Sequence, residues 1–522
     1  MKSNIFITLF LIPFIISSAL GDGNQKKPRI IVSSDIGGSD FDDFQSMVHL
    51  FVYADLFDIE GIISSPSGDG RKEDILKVID AYEKDYPNLI TYSADYPPPD
   101  SLRKITKQGA IDIVSPIGFS EPTEGSKWII ACAKRDDPRP LHVLVWGGLE
   151  DLAQALHDAP EILPKLRVYW IGGPNKKWSV NAYQYIVKNF PELWFIESNA
   201  TYRGWFTGGN QTGEWSNTAF VSTHVKGFGA LGDFFYSKSD QLKMGDTPSL
   251  ARFINGNPED PSSPGWGGQY VRAWKRPYVF FKRLTTATDS MEVFGVLELH
   301  IPFDTTTVSN AEAIMRIDRD ITGFVVKDTV IFLFSPKNAG KFSYKIISNI
   351  PDLNNKTGSI TVYPTPETNK LHPAAELPNW WTDDPSNELK EGEHIGAKTV
   401  NKWRVDYLTD FAKRMERCKN PLNTGVQEKN NNMMPYNFKL YQNYPNPFNN
   451  STTIRYSLPE SENVTIEIYN ILGQKVKTVI KDYYHEAGIY EMHINGDGLV
   501  SGTYIVRMHT NKDQMIKMIL LK

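Results

Sequence analysis

Cysteine is scarce: Cys132 and Cys418 are the only two in 522 residues. Disulfides therefore cannot be the main support of the fold, although an oxidising compartment would permit one bridge; the alternative is two buried free thiols on helices. Long apolar runs are scarce too. The stretch from Ile5 to Ile16 is too short to span a bilayer, and nothing downstream approaches ~20 uninterrupted apolar residues, so no transmembrane segment is expected. A basic excess is also missing. Lys and Arg number 56 against 61 Asp and Glu, a formal net charge of −5, and the dense cationic surface that nucleic acid requires is not available.

What is present begins with an address. Lys2 precedes the Ile5 to Ile16 run, and Ser17, Ser18, Ala19 and Gly21 supply small residues for cleavage, the pattern of a signal peptide over residues 1–21. The length exceeds one ordinary core and suggests about two to four domains.

From Arg29 to about Phe281, short apolar strands alternate with helical stretches, which predicts a doubly wound, mostly parallel α/β sheet over residues 28–290. Ile30 to Val32, Ile59 to Ile63, Leu89 to Tyr92, His142 to Trp146, Val168 to Ile171 and Leu193 to Ile196 read as its strands. Residues 291–366 then read as successive strands without helices, an inserted, compact antiparallel β-domain. Residues 367–420 end in a helical pattern, with Val400, Trp403, Tyr407, Leu408, Phe411 and Met415 on one face, suited to pack back on the α/β body. The polar passage 421–435 reads as a linker. Residues 436–522 alternate short strands with Pro, Gly and Asn turns, a separate β-sandwich. Tryptophans in Gly-rich or Pro-rich passages, Trp266, Trp380 and Trp381 among them, suit stacking on sugars if exposed.

The chemistry concentrates after the first strand. Ser33-Ser34-Asp35-Ile36-Gly37-Gly38-Ser39-Asp40-Phe41-Asp42-Asp43 puts four carboxylates within nine residues, at the carboxyl end of a strand, where open α/β sheets build their sites. Such crowding demands a cation or raised pKa values. Hard oxygen ligands without nearby Cys or paired His favour Ca2+ or Mg2+ over Zn2+. The alternative is that Asp42 and Asp43 only favour the start of a helix.

Two resemblances extend this reading. Gln442-Asn443-Tyr444-Pro445-Asn446-Pro447-Phe448, Ile468-Tyr469-Asn470-Ile471-Leu472-Gly473-Gln474 and Ser501-Gly502-Thr503-Tyr504 resemble the type A C-terminal sorting domain of the Bacteroidetes type IX secretion system. That resemblance implies the type IX machinery as partner and a secreted or outer-surface location. The acidic cluster resembles the Asp-x-Asp-x-Gly-x-Asp-Asp motif of nucleoside hydrolases, with Ser33 at the first aspartate and a longer turn before Asp42-Asp43. Gly147-Gly148-Leu149-Glu150-Asp151-Leu152-Ala153, Tyr169-Trp170-Ile171-Gly172-Gly173 and Met244-Gly245-Asp246-Thr247-Pro248 resemble later segments of that family, with Gly245 where it has a histidine. The match is closer still to a nucleoside-hydrolase-like family of cellulose-binding proteins, carried by Asp35-Ile36-Gly37-Gly38, Gln45-Ser46, Gly245-Asp246-Thr247-Pro248-Ser249, Trp266-Gly267-Gly268 and Trp403-Arg404. That family implies an Ig-like or cadherin-like sandwich for residues 291–366.

The resemblance implies a calcium site formed by Asp35, Asp43, the Glu150 backbone carbonyl and Asp246. It makes Asp35 the base that takes a proton from water and Asp42 the group that orients sugar hydroxyls, with Asn181, Asn199 and Trp266 as further substrate contacts. Gly245 cannot donate a proton to a leaving group; Asp40, Asp69, Tyr202 and His224 are the substitutes. Two functions stay open: a calcium-dependent hydrolase of glycosyl or N-glycosyl bonds, acting on glycans or nucleoside-like substrates, and a non-catalytic carbohydrate binder.

Overall fold

The computed structural model describes residues 27–38, 40–65, 69–276, 278–422, 427–428, 438–496 and 498–522. The signal peptide over 1–21 and most of the expected linker lie outside the described residues. The chain divides into two compact units, Met1–Lys419 and Asn420–Lys522.

In the first unit, strands β1 (Arg29–Ser34), β2 (Asp58–Ser64), β3 (Thr106–Gln108), β4 (Leu141–Val145), β5 (Leu166–Ile171) and β6 (Trp194–Ser198) run parallel in the spatial order β3-β2-β1-β4-β5-β6. All residues of β1 and β4 are buried, because helices cover both faces of a parallel sheet. The sheet continues through a late strand, Trp380–Asp383, parallel to β6, and ends with β7 (Tyr270–Arg272), antiparallel to it. The covering helices are α1 (Asp42–Val52), α2 (Lys72–Tyr92), α3 (Pro99–Ile105), α4 (Glu124–Ala133), α5 (Glu150–Asp158), α6 (Gly173–Trp178), α7 (Val180–Asn189), α8 (Asn217–His224), α9 (Gly229–Lys238), α10 (Thr247–Ile254), α11 (Lys398–Asn401) and α12 (Arg404–Lys419). Tyr407, Leu408, Phe411, Met415 and Cys418 of α12 sit in the same buried cluster as Val48 and Tyr82, so the late helix does pack on the α/β body.

Two sequence expectations change. Leu89 to Tyr92 is not a strand but the end of α2, which runs on past Pro87. Leu89 completes a buried stripe with Ile75, Val78, Ile79 and Tyr82, and so short an apolar run has no period of its own to mark it as helix or strand. Trp380 and Trp381 lie not in an exposed loop but in a strand of the main sheet. Trp380 is 1% exposed and stacks on Phe195 at 4.3 Å; Trp381 packs at 5.0 Å from Trp194.

Residues 278–363 form two facing sheets around a common core that includes Leu297, Leu299, Phe332, Ile346 and Ile360. Each is mainly antiparallel but carries one parallel edge pair, Tyr278–Phe281 beside Val296–Pro302 and Ser290–Glu292 beside Thr357–Tyr363. Both cysteines are free and buried, Cys418 in the cluster on one side of the main sheet and Cys132 in the other.

The second unit is a pair of four-stranded sheets, built on Ser451–Leu458 with Gly488–Asn495 and on Glu462–Asn470 with Gly502–His509. Alternating residues such as Ile454, Tyr456, Val464, Ile466 and Val506 fill the space between them. Among the described residues, no helix is long and apolar enough to cross a membrane.

Candidate functional site

The strand order turns at β1, which pairs with β2 on one side and β4 on the other. Such a switch opens a crevice beyond the carboxyl ends of the strands. Asp35 follows β1 directly. The chain turns at Gly37, whose φ of +89° puts it in the left-handed region and whose missing side chain leaves room for Asp74. Helix α1 begins at Asp42, so Asp42 and Asp43 form its first turn, where the helix dipole favours negative charge. The Ser34 hydroxyl donates to Oδ1 of Asp43 at 2.5 Å and accepts the Ile36 N–H at 3.1 Å, fixing carboxylate and turn together.

From the neighbouring strand, the Trp146 N–H donates to the Ser33 carbonyl at 2.7 Å. Gly147 then passes so close that a Cβ would lie 2.7 Å from that of Asp35. The third wall comes from the segment before α10. Gln45 accepts the N–H groups of Lys243 (2.8 Å) and Met244 (3.2 Å) and donates to the Gln241 carbonyl (2.9 Å). Ser46 accepts the Asp246 N–H at 3.3 Å. Met244 is held at a φ of +46°, a strained conformation for a side-chain-bearing residue. Helix α1 thus carries two carboxylates and clamps the loop that brings the third.

Asp42, Asp43 and Asp246 present carboxylate oxygens all within 4.8 Å of one another. Burial and the neighbouring charge of Asp246 push the Asp43 carboxyl well up, and burial with Asp42 does the same to Asp246. Burial and Asp42 raise Asp35 to about 7, and burial raises Asp42 to about 6 against the opposing pull of Lys243. Oδ2 of Asp246 is buried with no hydrogen-bond partner. Crowded, dehydrated oxygens with one unpartnered atom are what a hard divalent cation would satisfy, so the residues present fit one. Lys243 pairs with Asp40 and lies 3.3 Å from Asp42. The cavity, of about 600 Å3, is lined by these carboxylates and Asp69 together with Trp146, Tyr202, Arg203, Phe206 and Lys337.

The other expected residues are not all gathered here. Asp35 lines the cavity beside Asp43 but outside the three-carboxylate group. Glu150 opens α5, its carboxylate accepts from the Ser179 hydroxyl at 2.9 Å, and burial raises it to about 7. Asn181 donates to the Val114 carbonyl at 2.6 Å and lines a different cavity. Asn199 donates to Glu197 at 2.7 Å and lines an adjoining one. Trp266 is 8% exposed and meets Tyr407 edge-on inside the core. Trp266 and Trp380 are spent on packing and present no exposed stacking platform, while Trp381 is half-buried against Trp194 and Arg272. Of the substitute acids, Asp40, Asp69 and Tyr202 line the cavity, while His224 sits on α8 paired with Glu214 at 3.0 Å.

Ser34, Trp146, Arg203, Lys243 and Lys337 escaped the sequence reading. Ser34 lies inside a quoted motif and Lys243 beside one, so both were within reach of it. Arg203 comes from the loop after β6 and Lys337 from the β-layer, and no local pattern marks them.

Residues 29–270 match the family described as cellulose-binding Sde182, nucleoside hydrolase-like domain, and residues 442–522 match the secretion system C-terminal sorting domain. No curated protein matches the chain. Among solved structures it is similar to a nucleoside hydrolase-related protein of Saccharophagus degradans associated with carbohydrate metabolism, at 17% identity over 95% of this chain and 99% of that one, TM-score 0.46. It is also similar to an inosine-uridine preferring nucleoside hydrolase of Bacillus anthracis, at 17% identity over 48% and 87%, TM-score 0.30. A plant nucleoside hydrolase matches at 13% identity over 48% and 84%, TM-score 0.30. The chain carries an Sde182-type nucleoside-hydrolase-like domain joined to a type IX secretion C-terminal sorting domain, and so belongs among secreted or cell-surface proteins.

Proposed function

We propose that the acidic cavity is a calcium-dependent site that hydrolyses glycosyl or N-glycosyl bonds of extracellular glycosides or glycans. The observation that carries this reading is the close group of half-buried Asp42 with buried Asp43 and Asp246, and its unpartnered Asp246 oxygen. These three would hold the ion, with Asp35 and the Glu150 carbonyl completing the set expected from the family pattern. When bound, a hard cation would neutralise the crowded carboxylates and acidify water held beside them. Asp35 lines the cavity beside these groups and is the carboxylate available to take a proton from that water. Asp42, facing the cavity beside Lys243, is placed to accept hydrogen bonds from sugar hydroxyls. Asp69 and Tyr202 are the cavity groups available to protonate the leaving group.

A second reading, a carbohydrate binder without catalysis, is favoured by one observation: Gly245 supplies no acid where the related enzymes have a histidine. The two are separated by incubating the purified chain with nucleosides, aryl glycosides and oligosaccharides, with calcium and with a chelator. Calcium-dependent cleavage that Asp43→Asn abolishes supports the hydrolase. Sugar binding that survives chelation, with no cleavage of any substrate class, supports the binder and sinks the hydrolase.

A further inference from the structure

Beside the acidic cavity lies a second one of about 430 Å3, and the two share Pro174, Arg203 and Lys337 as wall residues. Arg203 comes from the loop after β6. Lys337 comes from the β-layer, between the strands Thr329–Phe334 and Gly340–Ser348. Nearby cations are neutralised within the fold: Lys243 by Asp40, Lys177 by Asp318 at 3.1 Å, and Lys176 and Arg276 by Glu197. Among the described residues Arg203 and Lys337 have no such partner. Arg203 rests only over the Tyr202 ring, 5.4 Å from its centroid, and Lys337 is exposed and is held below its ordinary pKa by partial burial and by Lys177 and Arg203.

Both cations stand on pinned backbone. The Asp383 carboxylate accepts the N–H groups of Asn199 (3.0 Å), Ala200 (3.1 Å) and Thr201 (3.0 Å), anchoring the loop that carries Arg203. The Pro336 carbonyl accepts the Phe294 N–H at 2.9 Å, and the Phe294 carbonyl accepts from buried Lys176 at 3.1 Å, anchoring the segment before Lys337. Phe294 itself is held at a φ of +61°. The second cavity adds Lys390 and His394, with Glu393 as its acid. Two cations without an ion-pair partner, on a preset frame and facing a cavity that also holds Lys390 and His394, are complementary to an anion.

We propose that the substrate is an anionic glycan, whose carboxylate or sulfate is bound by Arg203 and Lys337 in the second cavity while a neighbouring sugar lies over the carboxylates of the first. This rests on the acidic cavity being a sugar site and adds the charge class of its ligand. Arg203 supplies a planar fork matched to a carboxylate or sulfate, and Lys337 a movable point charge.

The test is isothermal titration of the full chain with oligogalacturonate, a sulfated oligosaccharide and a neutral cello-oligosaccharide of equal length. Each titration is run with calcium and again with a chelator, so that the proposed sugar site is intact in one arm and a calcium bridge between ligand and protein is excluded in the other. The expected result is that at least one acidic ligand binds about tenfold or more tighter than the neutral one, and that the preference weakens with salt. Arg203→Ala and Lys337→Glu should each remove about tenfold of that affinity, and which acidic ligand wins identifies the anion. Lys337→Glu changes an exposed loop residue and keeps the test valid if Arg203→Ala fails to fold. Equal affinity for all three ligands, or an acidic preference untouched by Lys337→Glu, overturns the proposal. Acidic preference in a chain that cleaves nothing would leave this proposal standing while the hydrolase reading falls.

Discussion

Gly245 lies against Asp42 so closely that a Cβ added to it would fall 2.4 Å from the Asp42 Oδ2. The position where the resemblance to nucleoside hydrolases leads one to expect a histidine is therefore closed in this chain by the carboxylate itself. Gly245→Ala should displace Asp42 and weaken calcium binding by about 10–100-fold, the range for disturbing groups that orient metal ligands. Gly245→His should do the same and restore no activity. Calcium titration followed by thermal unfolding reads both; a histidine variant that gains cleavage would refute the steric argument.

Removing one crowded carboxylate should relieve repulsion in the metal-free protein. Asp246→Asn is expected to unfold at a temperature equal to or above that of the unaltered chain when a chelator is present. It should also lose the calcium-induced stabilisation, which for the intact site amounts to about 2.7 kcal/mol at a cation concentration 100-fold above Kd. A variant destabilised without metal and still stabilised by it would contradict the grouping of Asp42, Asp43 and Asp246.

The same carboxylates set a pH dependence. Their folded-state pKa values are raised, to about 7 for Asp35 and Glu150 and about 6 for Asp42, so the folded state binds more protons than the unfolded chain between about pH 4 and pH 7. The stability they contribute is complete below about pH 4 and is lost as pH rises through the folded values. Metal-free protein should become less stable across that window, and calcium affinity should rise over it as protons are displaced. Unfolding curves from pH 4 to 8, with chelator and with calcium, would expose a slope of the wrong sign.

Asp383 holds three backbone N–H groups of the loop after β6 and is itself fully buried. Asp383→Ala leaves those donors unpaired and should cost about 3–5 kcal/mol, with Asp383→Asn retaining part of the loss. Denaturant unfolding measures this; a cost below about 1 kcal/mol would mean the loop is held by other contacts.

Trp380→Ala should destabilise the fold by about 3–5 kcal/mol, since the ring is buried against Phe195. Trp381→Ala should leave polysaccharide retention unchanged, because the half-buried ring packs against Trp194 and Arg272. Loss of retention in a Trp381→Ala chain that still folds would restore the stacking role.

The sequence by itself determined the address motifs, the parallel α/β order and the acidic cluster after β1, because each is written in contiguous residues. A buried parallel strand needs an apolar run such as Ile30 to Val32, and a ligand-bearing turn needs its carboxylates and glycines side by side. Asp246 was within reach for the same reason, sitting in a short motif at the start of α10. Tertiary structure alone decided which of these groups meet. It joined Asp42 to Asp43 and Asp246 through the Gln45 clamp, a contact spanning 199 positions. It buried Trp266 and Trp380, whose Gly-rich and Pro-rich flanks read as loops but whose rings face a core assembled from distant segments. It also brought Lys337 from the β-layer to the wall it shares with Arg203. No period or spacing encodes a contact between elements so far apart in the chain; packing of the two layers creates it.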